Sequence, residues 1–141
     1  MILLTPELRD ALRANEIARR AAFDARRAEP DPVPVVKFFN PVGAATWLAT
    51  ELYEDGDTLF GLADLGFGCP ELGTFSLSEV ASVRLPFGLR IERDVAFVTP
   101  FPLSLWADTA RRAGSILHAQ AILYAAARED DAPSELPPDG G

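Results

Sequence analysis

Carboxylates are the most numerous reactive groups in this chain, and four of them are spaced so that folding could bring them together. Asp64 ends a run of strand-forming residues, and Glu71 lies in the glycine-rich connection Gly66-Phe67-Gly68-Cys69-Pro70-Glu71-Leu72-Gly73 that follows. Glu92 and Asp94 flank Arg93. Converged, with one acid protonated and another ionised, such groups serve general acid–base chemistry. The Glu92-Arg93-Asp94 triplet reads equally well as ion pairing at a strand edge.

The supporting inventory is thin. A thiolate nucleophile at Cys69 would need a base or a positive field, and the single histidine, His118, belongs to a distant predicted helix. No Gly-x-Ser-x-Gly elbow occurs. Gly66-Phe67-Gly68 has Glu71 where a dinucleotide fingerprint places its third glycine, and no Walker lysine follows. Glu54-Asp55-Gly56-Asp57 offers oxygen ligands without the full calcium-loop pattern. One histidine and one cysteine make no zinc spacing. The expectation is no cofactor, no metal, and a binding protein ahead of an enzyme.

Charge points the same way. The 141 residues carry a formal net charge of −8, which disfavours generic contact with a phosphate backbone. Residues 1–28 hold six arginines against four acids, whereas no basic residue lies between Lys37 and Arg84. That acidic stretch contains Glu51, Glu54, Asp55, Asp57, Asp64, Glu71 and Glu79. Such a surface keeps a small protein soluble, or attracts a basic protein partner. The uncharged stretch Val95–Ala107 is broken by Pro100, Pro102 and Ser104, so no membrane span is expected. The first residues lack a signal-peptide pattern, and one cysteine allows no internal disulfide. Both suit a cytoplasmic protein.

The elements that must position these residues read as one α+β domain over 1–128, with a disordered acidic tail over 129–141. Thr5 is an N-cap with Pro6 at the first helical position, and Leu8 and Leu12 begin an inward face that continues to Asn15 or Glu16. On that reading Arg9, Arg13, Arg19 and Arg20 face water or a partner. Prolines 30, 32 and 34 forbid helix. Strands are predicted over 35–39, 45–53 and 58–65, then a short one at Thr74-Phe75, extended chain over 89–93 and a last strand over 95–98. Ser76-Leu77-Ser78-Glu79 is a capping box that opens a short helix to about Arg84. A long helix runs from Leu103 to about Arg128, with Gly114 a point of kinking or division. Its core stripe is Leu103, Trp106, Ala110, Ala113, Leu117, Gln120 and Tyr124, with Ile116 and Leu123 near it. Its many alanines fit close packing against a second copy, or simply good helix formation.

The turn at Glu54–Asp57 makes a hairpin whose register can be tested. Pairing Tyr53 with Thr58 sets Glu51 opposite Phe60, Ala49 opposite Leu62 and Trp47 opposite Asp64, all on one face. Glu51 and Asp64 then stand roughly 13 Å apart, too far for a glycosidase-like pair. Both sheet faces are apolar, so helices cover both or a partner covers one. Trp47 and Phe60, with Phe38 and Phe39, are core residues or, on an open face, interface anchors.

Several linked runs resemble a known bacterial family. They are Asp31–Phe39, Thr46–Leu52, Phe60–Gly66, Pro70–Gly73 and Ser76–Glu79, with Glu92-Arg93-Asp94 and Pro102-Leu103-Ser104. Together they are similar to domain-of-unknown-function family 2958 over roughly residues 3–112. The resemblance supplies no activity, cofactor or catalytic residue. It implies a setting on plasmids and integrative elements, near conjugation or anti-restriction genes. The expectation is therefore an acidic protein-interaction module of a mobile element, in its sharper form a DNA mimic or anti-defence protein. The alternatives are a small enzyme using Asp64 and Glu71, and a nucleic-acid accessory protein using Arg9, Arg13, Arg19 and Arg20.

Overall fold

The computed structural model describes residues 1–131. Five antiparallel strands form one sheet: β1 (Val36–Phe39), β2 (Thr46–Leu52), β3 (Thr58–Asp64), β4 (Glu71–Ser76) and β5 (Glu92–Arg93), in the order β4-β3-β2-β1-β5. Four helices accompany it: α1 (Pro6–Asp24), α2 (Leu77–Ser82), α3 (Leu103–Ala113) and α4 (Ile116–Asp131). The architecture is α+β. No described helix is long and apolar enough to cross a membrane.

Local chemistry starts the helices where expected. The Thr5 hydroxyl accepts from the Leu8 N–H, and the Ser76 hydroxyl accepts from the Glu79 N–H. Helices cover both apolar sheet faces. One core joins Leu12 of α1 and Leu77 and Val80 of α2 to Phe38, Trp47 and Leu59. The other joins Trp106, Ala110, Ile116 and Leu123 of α3 and α4 to Leu48 and Leu62.

Three expectations are corrected or refined, and the fourth strand begins at Glu71 rather than Thr74. The last strand is Glu92–Arg93, pairing with Phe39 and Phe38, whereas Val95–Val98 is a turn and irregular chain. The reason is local: the Asp94 carboxylate accepts from the Ala96 N–H and folds the chain over. The long last helix is two helices, because Gly114 takes a left-handed conformation (φ 85°) that ends α3. That break rotates the inward stripe, so Ile116, Ala119 and Leu123 are buried and Leu117 is exposed. α4 itself continues to Asp131, three residues into the expected tail; residues 132–141 lie outside the described chain.

The third correction concerns the hairpin. Glu51 does pair with Phe60, and the Tyr53 N–H does bond to the Thr58 carbonyl. Beyond them a β-bulge at Thr50 shifts the register by one, so Ala49 faces Gly61, Trp47 faces Ala63 and Thr46 faces Asp64. Trp47 and Ala49 therefore lie on the α1–α2 side, while Phe60, Leu62 and Asp64 lie on the other.

Candidate functional site

The bulge builds a cleft that gathers charged and aromatic side chains. In a regular strand consecutive side chains point to opposite faces, yet Thr50 and Glu51 both line one cleft of about 320 Å³. The buried Glu51 carboxylate accepts from Arg19 Nε at 2.7 Å. Arg19 also lies over the Tyr53 ring, 5.8 Å from its centroid. The Glu51 hydrogen bond holds the Arg19 guanidinium above its ordinary range, against the opposing effect of its partial burial. Phe60 and Leu72 form an apolar wall, and Glu29 and Asp31 stand at the rim. The loop carrying them is pinned to α3: the Leu103 N–H bonds to the Pro32 carbonyl, and the Ser104 hydroxyl and N–H both bond to Asp31.

Three acids against one arginine, beside two aromatic rings, suit a cationic group such as an ammonium or guanidinium. The cleft contains no histidine or cysteine to act as base or nucleophile. Among the described residues no group of three His, Cys, Asp or Glu side chains is placed to hold a metal.

The four acids considered for catalysis do not converge. Asp64 is fully buried at the end of β3, where one carboxylate oxygen accepts from the Ile116 N–H and the other from the Gly66 N–H. It caps α4. Glu71 pairs with Ala63, so it projects from the face opposite to Asp64, on the outermost strand. Glu92 and Asp94 belong to the other edge of the sheet. Asp94 lies 3.7 Å from the ammonium of Lys37.

The residues considered for interaction divide in the same way. Trp47 is buried in the core and Phe60 is half-buried at the cleft wall. Asp55 accepts from the Thr58 hydroxyl and from the Thr58 and Asp57 N–H groups, which closes the hairpin turn. Asp57 accepts from the Ser76 hydroxyl and the Ser78 N–H, tying that turn to α2. These bonds hold both carboxyls below the ordinary aspartate range. Glu54 projects into solvent, 83% exposed, with a long 3.8 Å contact from Arg20.

Of the α1 arginines, Arg13 and Arg19 are half-buried against the sheet, while Arg9 and Arg20 are exposed as expected. β1 ends its pairing at Ala49, which leaves the outer carbonyls of Thr50 and Leu52 without a neighbouring strand. Buried carbonyls require donors. Asn15 Nδ2 donates to Thr50 O at 2.9 Å, and Arg13 Nη1 donates to Leu52 O at 2.8 Å. Arg9 reaches Gly56 O at 3.3 Å. Glu16, itself buried, receives Arg13 at 3.0 Å and Arg20 at 3.5 Å. Thus α1 substitutes for the missing length of β1, with Arg13, Asn15 and Arg19 as its attachment and Arg20 held by Glu16 of the same helix.

Sequence reading missed two further residues. Lys37, the single lysine, is buried, and its ammonium donates to Gln120 Oε1 at 2.8 Å. It joins β1 to α4. Gly61 faces the bulge so closely that a Cβ would lie 1.8 Å from the Leu48 carbonyl oxygen. A lone lysine within an apolar strand was the available signal for the first; nothing local marked the second.

No curated protein and no solved structure matches the chain. A family model does, over residues 3–117, a span that takes in the bulge, the cleft and the Asp64 cap and stops just inside α4. The chain therefore belongs to the family described as "Protein of unknown function (DUF2958)".

Proposed function

We propose that the chain is a non-enzymatic interaction module whose acidic surface receives a basic protein partner. One observation carries this reading. The arginines that would have balanced the surface are turned onto the carbonyls of Leu52 and Gly56 and the carboxylates of Glu16 and Glu51. Glu71 and Glu79 meanwhile stand exposed, with no ion pair among the described residues. The same arrangement weighs against a nucleic-acid accessory role for α1, since Arg13 and Arg19 are already engaged. The dispersal of Asp64, Glu71, Glu92 and Asp94 weighs against a carboxylate enzyme. A sharper form of the reading is imitation of DNA in the service of a mobile element, with acids standing in for phosphates.

The test is affinity purification of the tagged chain from its native host, at low and high salt, with and without nuclease. The expected result is a stoichiometric protein partner, lost at high salt and indifferent to nuclease. Competition of that partner by duplex DNA would support the DNA-imitating form. Recovery that requires nucleic acid would overturn the reading in favour of the arginine helix.

A further inference from the structure

The edges of this sheet are treated unequally. Where β1 stops short, α1 covers β2 through Asn15 and Arg13. At the β5 edge, the strand is two residues long and Arg93 donates to the Ile2 and Leu3 carbonyls. The β4 edge has no such cover. The Leu77 N–H bonds to the Asp57 carbonyl at 2.9 Å, which sets the alternation of the β3–β4 ladder. Glu71, Gly73 and Phe75 thus bond to β3, while Leu72 and Thr74 turn their N–H and C=O groups outward. Among the described residues nothing bonds to these outward groups. Protein edges are ordinarily blunted by charged residues, proline, a bulge or a covering segment; within Glu71–Ser76 the single such feature is Glu71 at the first position.

Clefts flank this edge on both faces. On one side lies the acidic cleft of Glu51, Asp31, Phe60 and Leu72. On the other lies an apolar groove of about 330 Å³ formed by Leu65, Phe75, Val80 and Val83, with Glu79 beside it. Gly73 sits between them in mid-strand, with open space where a Cβ would be. A glycine there weakens the strand and serves no internal packing need; close approach of another backbone is a standing reason for one.

We propose that β4 is a docking edge for an extended basic segment of a partner protein, which adds to the sheet as a further strand. The proposal rests on the interaction reading above and gives it a surface and a partner chemistry. Main-chain bonds to Leu72 and Thr74 supply affinity, and alternate side chains of the added strand enter the two clefts. Basic side chains enter the acidic cleft, and apolar ones enter the groove. Charge selects this occupant over a second copy of the chain. Self-pairing would bring Glu71 and its acidic surroundings against their like, with no basic residue anywhere between Lys37 and Arg84 to offset them.

The probe is a labelled octapeptide of alternating arginine and valine, compared with a block peptide of the same composition. The alternating peptide is expected to bind at least about tenfold more tightly than the block peptide, corresponding to about 1.4 kcal/mol. It should slow amide exchange at Leu72 and Thr74. Thr74→Pro removes an outward N–H without touching the β3 ladder and should weaken binding to a similar extent. Leu72→Lys, which keeps every backbone bond and opposes a basic ligand, should do the same. Equal binding of both peptides without protection at Leu72 and Thr74 would overturn the proposal. So would a dimer of the chain that Thr74→Pro dissolves. A native partner retained equally by wild type and both variants would refute the edge and leave the interaction module standing. Absence of any native partner, with no peptide binding, would refute both.

Discussion

Asp64 illustrates how a candidate catalytic acid becomes a structural one. Its two carboxylate oxygens each take one backbone N–H, from Gly66 and from Ile116, and its side chain is fully buried. The negative charge sits at the start of α4, where the helix dipole favours it. Asp64→Ala would leave the Ile116 N–H buried and unpaired, while the exposed Gly66 N–H turns to water, at a cost of about 1–3 kcal/mol. Urea unfolding should show the midpoint fall with the slope unchanged. Asp64→Asn should fall between, because an amide offers one acceptor where two are needed. A loss of binding without loss of stability would instead give Asp64 a direct functional role.

At the scale of the element, the bulge in β2 decides most of the site. It places Thr50 and Glu51 on one cleft, sends Trp47 to the core, and exposes the Thr50 carbonyl to Asn15. Its partner is Gly61, where a Cβ would strike the Leu48 carbonyl oxygen and approach Ala49 Cα to 2.8 Å. Gly61→Ala is expected to destabilise the fold by about 3 kcal/mol or more, because backbone rather than a flexible side chain must move. Gly73→Ala, directly across the ladder and free of neighbours, is the control and should change stability by no more than about 0.5 kcal/mol. Thermal melts of the two variants side by side check the pair. Equal effects would mean that the bulge does not require the glycine.

Over the whole molecule, the acidic balance makes stability depend on pH through particular carboxylates. The Thr58 hydroxyl and nearby amides lower the pKa of Asp55, and the Ser76 hydroxyl with the Ser78 amide lowers that of Asp57. A carboxylate with a depressed folded pKa contributes its full stabilisation above its unfolded value, near 3.9. That contribution is lost as pH falls through the folded value. Melting temperature should therefore be flat from neutral pH down to about 5 and decline below about 4. Asp57→Asn should melt lower than wild type at neutral pH, with the gap closing in acid. A gap that persists at pH 3 would place the effect in packing rather than ionisation.

What the sequence by itself determined is what neighbours in the chain decide. The Thr5 and Ser76 caps, the Glu54–Asp57 turn, the first three strands and the proline-bound loop follow from propensity and local hydrogen bonding. The acidic surface and the absence of a catalytic histidine pair were equally plain in composition. The prolines before Val35 also set where β1 begins, and only the tertiary structure decided what covers the β2 carbonyls beyond it. Those carbonyls drew Arg13 inward beside Asn15, so part of a face that looked basic and outward became an attachment. The bulge, the Lys37–Gln120 contact and the Asp64 cap each join groups far apart in the chain. Gly114 marked a point of division in the sequence, but the tertiary structure set the break there and put Ile116 rather than Leu117 in the core. Such pairings depend on which backbone groups remain unsatisfied once the sheet has formed, and local sequence carries no record of that.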